Sequence, residues 1–330
     1  MSDITAQFRQ PLLSEQLPAV RSKPGMIWIE GGTFLMGSDR HYPEEAPVHR
    51  VQVSGFWIDR HPVTNAQFQK FFEATGHLTI AEVAPDPRDY RGALPQLLER
   101  HSLVFVKPEG PVELDDVRNW WVCMRGADWR HPYGPNSSVR GLDDHPVVHV
   151  AYRDAQAYSI WAGKMLPTEA QWEFAARGGL ESAEFPWGDE AMPAGRHAAN
   201  VWHGRFPGQN LASHGYERTS PVGAFPPNGY GLLDMVGNVW EWTADWYRPR
   251  HAADEASGIP VDPRGGLRKE SFDAKQPRNR IPRKVLKGGS YLCGPDHSYR
   301  CRPAARYPHP VETPACHVGF RCIIRGEAPA

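Results

Sequence analysis

The chain has 330 residues, room for one large domain or two small ones. Its 37 basic residues nearly cancel its 38 acidic ones, which argues against a nucleic-acid binder held by bulk charge. No apolar run approaches the length of a membrane span, and 40 % hydrophobic content is enough for a real core. The 31 glycines, 32 prolines and 12 tryptophans describe a loop-rich globule of short elements pinned by aromatic rings. Residues 1–25 read as a polar tail without the basic start and apolar stretch of a secretory signal, so a cytoplasmic location is expected.

The elements follow in order. MIWIEGGTFLMGS from Met26 is expected to form a hairpin, and HRVQVSGFWIDRHPV a second strand pair. Thr64 or Asn65 caps a helix with Phe68, Phe71 and Phe72 on its apolar face, and Gly76 ends it. DDHPVVHV reads as a short buried strand. Asp154 is placed to cap a second helix. Thr168 and Gln171 fit a capping box for a third, with Gly178 as its stop. The stretch 247–283 is polar and reads as a mobile excursion. Nothing marks a linker between two cores, so a single domain over 26–325 is expected.

Two segments carry possible chemistry. In GLLDMVGNVWEW (231–242), Asp234 and Glu241 are hard oxygen donors around a Gly-Asn turn that can aim carbonyls inward, as Ca²⁺ requires. A tight turn with solvated acids would read the same way. ANVWHGRF offers the Asn200 amide oxygen similarly. In KGGSYLCGPDHSYRCRPAAR (287–306), strand-like flanks around Gly-Pro-Asp-His read as a hairpin. In that register Cys293 faces Ser298, while Cys301 lies opposite Ser290 on the other face, so the two thiols do not converge unless a bulge shifts the register. Four of the five cysteines (Cys293, Cys301, Cys316 and Cys322, with Cys123 apart) fall near the C-terminus, which favours thiol or metal chemistry over a disulfide framework. For any one of them, a buried inert thiol is the simpler reading. His145 and His149 have too little company for a metal site. No HExxH, CxxC, GxGxxG, P-loop or GxSxG pattern occurs.

Taken together, IEGGTFLMGS, EEAPVHRVQVSGFWIDRHPVTNAQFQKFF, DHPVVHV, MLPTEAQWEFAARGGL, FPWGDE, ANVWHGRFP, GLLDMVGNVWEW, KGGSYLC and HVGFRC resemble the formylglycine-generating enzyme family, the sulfatase-modifying factors. The resemblance implies a single α/β (α+β) domain with little regular structure, related to C-type lectin-like folds. It implies oxidation of a cysteine within a Cys-x-Pro-x-Arg motif of an unfolded sulfatase to Cα-formylglycine, using O₂ and a Cu(I) ion between two cysteine thiolates. Softness accounts for those ligands. It places Cys293 at the first copper cysteine, Ser290 at the active-site serine and Trp240 at the active-site tryptophan. One Ca²⁺ site falls on Asp234, Gly237, Val239 and Glu241, and a second on Asn200, Val201, His214 and Tyr216.

The sequence also departs from the family pattern. Ser298 stands where the second copper cysteine lies, Gly294 replaces a histidine, and His214 replaces a calcium-binding aspartate. Ser159 and Ala176 occupy cysteine positions of the family's disulfides. These departures leave two alternatives to a working oxidase. One is a non-catalytic paralogue that binds a peptide or protein partner; the other is a member with a different role, such as immunity.

Overall fold

The computed structural model describes residues 23–85, 99–252, 258–276, 281–326 and 328, so most of the expected tail lies outside it. In chain order the elements are β1 (Met26–Ile29), β2 (Gly32–Met36), β3 (His49–Val53), β4 (Phe56–Asp59), α1 (Asn65–Thr75), β5 (His101–Phe105), β6 (Trp121–Arg125), α2 (Tyr152–Trp161), α3 (Glu169–Arg177), β7 (Trp240–Trp246), β8 (Arg283–Lys287), β9 (Arg306–Pro310), β10 (Val318–Gly319) and β11 (Ile323–Arg325).

The two expected N-terminal hairpins exchange partners. β1 pairs antiparallel with β4 and β2 with β3, so segments 26–36 and 49–59 form one long ribbon with a bend midway. Gly31 makes that bend, not a turn. A Cβ there would lie 2.5 Å from the Val53 carbonyl, so the two arms touch backbone to backbone. β11 adds to the free edge of β4 and completes a three-stranded sheet.

The helices begin and end largely as their sequences dictate. Thr64 Oγ1 accepts the Gln67 N–H while the Gln67 side chain accepts the Thr64 N–H, and Gly76 closes α1 in the left-handed region. Thr168, Gln171 and Gly178 do the same for α3. Asp154 departs from expectation. It sits inside the first turn of α2, behind the cap residue Ala151, and accepts the N–H groups of Ala151 and Ile80. It therefore ties α2 to the segment after α1 as well as satisfying the helix start.

A four-stranded sheet, β10-β7-β8-β9, forms the centre, with β10 parallel to β7 and the other pairs antiparallel. On one side Phe68, Phe71 and Tyr158 of α1 and α2 pack with Trp129, Phe320 and Trp242. On the other, Trp172, Ala175 and Ala176 of α3 pack against the β1–β4 ribbon. In segment 143–150 only residues 146–150 are buried, with Asp143 and Asp144 exposed, and the segment is not a strand. It makes one bridge, Pro146 to Thr64, and His149 has φ +60°, which breaks the extended run. The described part of 247–283, expected as a mobile excursion, is tied to the body. The Ser54 hydroxyl donates to Asp262 at 2.6 Å, the Gln52 N–H to Pro260, and Ser271 is fully buried. Among the described residues no helix is long and apolar enough to cross a membrane.

Candidate functional site

The expected hairpin over 287–306 does not form. β8 ends at Lys287, and Gly288 and Gly289, both at positive φ, carry the chain out of the sheet into an irregular loop that returns only at Arg306. A Cβ on Gly288 would sit 3.0 Å from the Trp172 ring, so only glycine lets the strand end against α3.

This loop folds back on itself around Cys293. The Cys293 N–H donates to the Ser290 carbonyl at 2.9 Å, and the Cys293 carbonyl accepts the Trp202 N–H at 2.8 Å. The Ser298 hydroxyl donates to Cys293 Sγ at 3.6 Å, so the expected meeting of 293 and 298 occurs without the hairpin that motivated it. The expectation for Cys301 fails. Cys301 lines the same cleft as Cys293, and its thiol reaches the Ser290 carbonyl at 3.5 Å. The reason is the loop's shape: alternation of faces holds only for paired extended strands, and none exists here.

Cys293 is buried at the inner end of a cleft of about 140 Å³, whose lining includes Phe185, Trp187, Val201, Tyr299, Ser298 and Cys301. Sequence reading singled out neither aromatic from 185–187 nor Tyr299; FPWGDE was legible only as a motif. Donors from Cys301, Ser298 and Ser290 favour the Cys293 thiolate and outweigh the burial that opposes it, so its pKa falls below the ordinary thiol value. Burial and the bond it makes to Cys293 keep the proton on Cys301. Ser290 is fully buried beside them. Trp240 is not part of that lining; it lies in the core cluster that contains Cys293, with its ring centroid 5.6 Å from that of Tyr307. Cys316 and Cys322 are buried elsewhere. Cys316 Sγ accepts the Phe105 N–H, and burial raises both thiols.

The loop 234–241 and the segment around Asn200 interlock. A Cβ on Gly237 would lie 2.4 Å from the Asn200 carbonyl, and that carbonyl accepts the Asn238 N–H at 2.8 Å. Asn238 in turn accepts the Tyr291 N–H, so this knot leads directly to the Cys293 loop. Within it, Asp234 Oδ2 accepts the Gly223 N–H at 2.7 Å, and burial raises the Asp234 pKa. Glu241 receives Arg321 at 2.7 Å on each oxygen and Trp172 Nε1 at 2.8 Å. Asn200 Oδ1 is buried with no hydrogen-bond partner. His214 accepts the Tyr216 N–H at Nδ1, so Nε2 carries the proton, and it donates to the Val201 carbonyl at 2.8 Å. Among the described residues no group of three or more His, Cys, Asp or Glu is arranged to hold a metal.

Residues 13–326 match the sulfatase-modifying factor enzyme 1-like domain. The chain belongs to the formylglycine-generating enzyme family. It is 49 % identical over 298 residues to the formylglycine-generating enzyme of Mycobacterium tuberculosis, covering 90 % of this chain and 97 % of that one. The mouse formylglycine-generating enzyme is 43 % identical, over 90 % of this chain and 74 % of that protein. The bovine inactive C-alpha-formylglycine-generating enzyme 2 is also similar, at 38 % identity over 92 % of this chain and 89 % of its own. So the family holds active enzymes and inactive paralogues. Among solved structures, PvdO from Pseudomonas aeruginosa superposes with a TM-score of 0.61 at 23 % identity, over 92 % of this chain and 98 % of that one. That likeness concerns the fold alone, an α+β domain of small mixed sheets and few helices.

Proposed function

We propose that this chain oxidises a cysteine side chain in a sulfatase-type polypeptide to Cα-formylglycine, with O₂ as oxidant. The observation that carries the reading is Cys293: a buried thiol whose thiolate form is favoured by three neighbouring donors, at the inner end of an apolar, aromatic-walled cleft. Such a cleft takes an extended peptide and excludes water from a reacting thiol. The reaction turns the substrate CH₂–SH into CHO, releasing H₂S and water. O₂ takes two electrons from the substrate and two from an external thiol reductant.

Cu(I) is the group the family implies, and a soft ion of low coordination number suits thiolate sulfur. Cys293 fits as one ligand. Ser298 does not fit as the other, because a neutral hydroxyl is a hard, weak donor. When bound, Cu(I) supplies the one-electron chemistry that O₂ needs. The protein's own groups hold the Cys293 thiolate by hydrogen bonds from Ser298 and Ser290, and wall the substrate thiol from solvent with Phe185, Trp187 and Tyr299.

Ca²⁺ fits the first site and not the second. The first buries two carboxylates, Asp234 and Glu241, around a single guanidinium, leaving negative charge that a cation would neutralise. At the second, Asn200 Oδ1 is an open donor, but the His214 N–H already occupies the Val201 carbonyl.

A Cys-x-Pro-x-Arg peptide incubated with the protein, Cu(I), O₂ and a thiol reductant tests the reading by mass spectrometry. A loss of about 18 Da on the cysteine supports it. Ser298 favours the second reading, a peptide-binding paralogue. An unmodified peptide that still binds would establish that reading instead.

A further inference from the structure

The loop from Gly288 to Arg306 brings Cys301 to Cys293 by several independent fixings. The two cysteines share the cleft wall, and both donate to one acceptor, the Ser290 carbonyl, Cys293 through its N–H at 2.9 Å and Cys301 through its thiol at 3.5 Å. The residues on either side of Cys301 are both clamped to the short turn at 43–45. Arg300 pairs with Glu44 at 2.6 Å, and Arg302 pairs with Glu45 at 2.6 Å with both side chains buried. Cys293 is held by Ser290 and Trp202 through its backbone. Gly289 leaves room for the sulfur: a Cβ there would lie 2.6 Å from Cys301 Sγ. Ser290 adds its carbonyl to the Cys301 thiol. The pair is thus built before any ligand arrives, and two thiols on one cleft wall are the donor set that a soft, two-coordinate ion prefers.

We propose that Cys301 is the second thiolate ligand for Cu(I), paired with Cys293, and that it fills in this chain the part that position 298 cannot. The Cys293 thiolate binds directly, and on Cys301 the metal–sulfur bond replaces the proton, which is released to solvent; no electron moves. Ser298 then acts as a hydrogen-bond donor to the Cys293 sulfur. The proposal deepens the oxidase reading and rests on it for the identity of the metal, but its test does not require turnover.

The experiment is a competition titration of the reduced protein for Cu(I) against a chromophoric Cu(I) chelator, with sulfur coordination counted by copper K-edge X-ray absorption. The native chain is expected to bind one Cu(I) through two sulfurs. Cys301→Ser keeps size and donor capacity; it should lower affinity by about a hundredfold or more and leave one sulfur. Cys123→Ser, at an exposed thiol, should change nothing. Adding Ser298→Cys to Cys301→Ser should restore two-sulfur binding, which shows that the loop still folds. Native-like affinity and two sulfurs in Cys301→Ser would overturn the proposal, as would absence of tight Cu(I) binding by the native chain. Two-sulfur binding without peptide conversion would sink the oxidase reading and leave this one standing. Peptide conversion at the native rate by Cys301→Ser would do the reverse.

Discussion

Arg321 closes on Glu241 with two hydrogen bonds of 2.7 Å, and neither residue is exposed to water. The same guanidinium reaches the carbonyls of Leu233 and Asp234, so one cation joins β7, the 231–237 loop and the C-terminal segment. Charged hydrogen bonds of this kind are individually strong, and breaking one partner leaves the other charge buried and unpaired.

Glu241→Gln is therefore expected to cost about 3–5 kcal/mol of stability with chelator present, through the lost Arg321 pair, and a further amount with Ca²⁺ present, through the lost cation ligand. Urea unfolding under both conditions measures this. A loss confined to the Ca²⁺ condition would make cation binding, and not Arg321, the main role of the carboxylate.

Acid should destabilise the fold well before its buried ion pairs titrate. Burial lowers His149 and His309 to about 4 and His317 to about 3. His149 is locked neutral, donating to the Pro132 carbonyl and bonded to Ser102. Below the unfolded value near 6.5 the unfolded chain binds more protons than the folded one, so stability falls as pH falls from there toward 4. The slope reaches up to about 1.4 kcal/mol per pH unit for each imidazole. Glu173 adds to the loss only at the acid end, below about pH 5, where the unfolded carboxylate begins to take up its proton. Burial raises its pKa, but Lys287 and Arg177 pull it back further, to about 2. A flat stability profile between pH 7 and 4.5 would contradict this.

Ser298→Ala removes one hydrogen-bond donor to Cys293 Sγ. Its thiolate is then less favoured, and the pH profile of its alkylation by iodoacetamide should move to higher pH. An unmoved profile would mean that Cys301 and Ser290 alone set the thiolate.

His214→Asp exchanges the proton donor at the Val201 carbonyl for a carboxylate beside the open Asn200 oxygen. The variant should gain a Ca²⁺-dependent rise in Tm beyond that of the native chain, worth about 2.7 kcal/mol at a hundredfold excess over Kd. Equal Ca²⁺ responses would show that the replaced imidazole is not what closes this site.

The sequence by itself determined what depends on neighbours a few residues apart. Thr64 with Gln67, Thr168 with Gln171, and the glycines at 76 and 178 set helix ends through local hydrogen bonds and left-handed backbone. The family motifs likewise singled out Cys293, Ser290 and the 234–241 loop as candidates, which is a matter of local sequence. The tertiary structure alone decided which strands pair, because Gly31 supplies a bend whose partner arm lies some twenty residues away. It decided that Glu241 meets Arg321. It also decided that Cys301 shares a cleft with Cys293, since the register argument needed strands that Gly288 and Gly289 end. The clamps on either side of Cys301 come from Glu44 and Glu45, more than 250 residues earlier in the chain. Contacts between such distant residues leave no periodic trace in sequence; they exist only once the core has fixed where each loop returns.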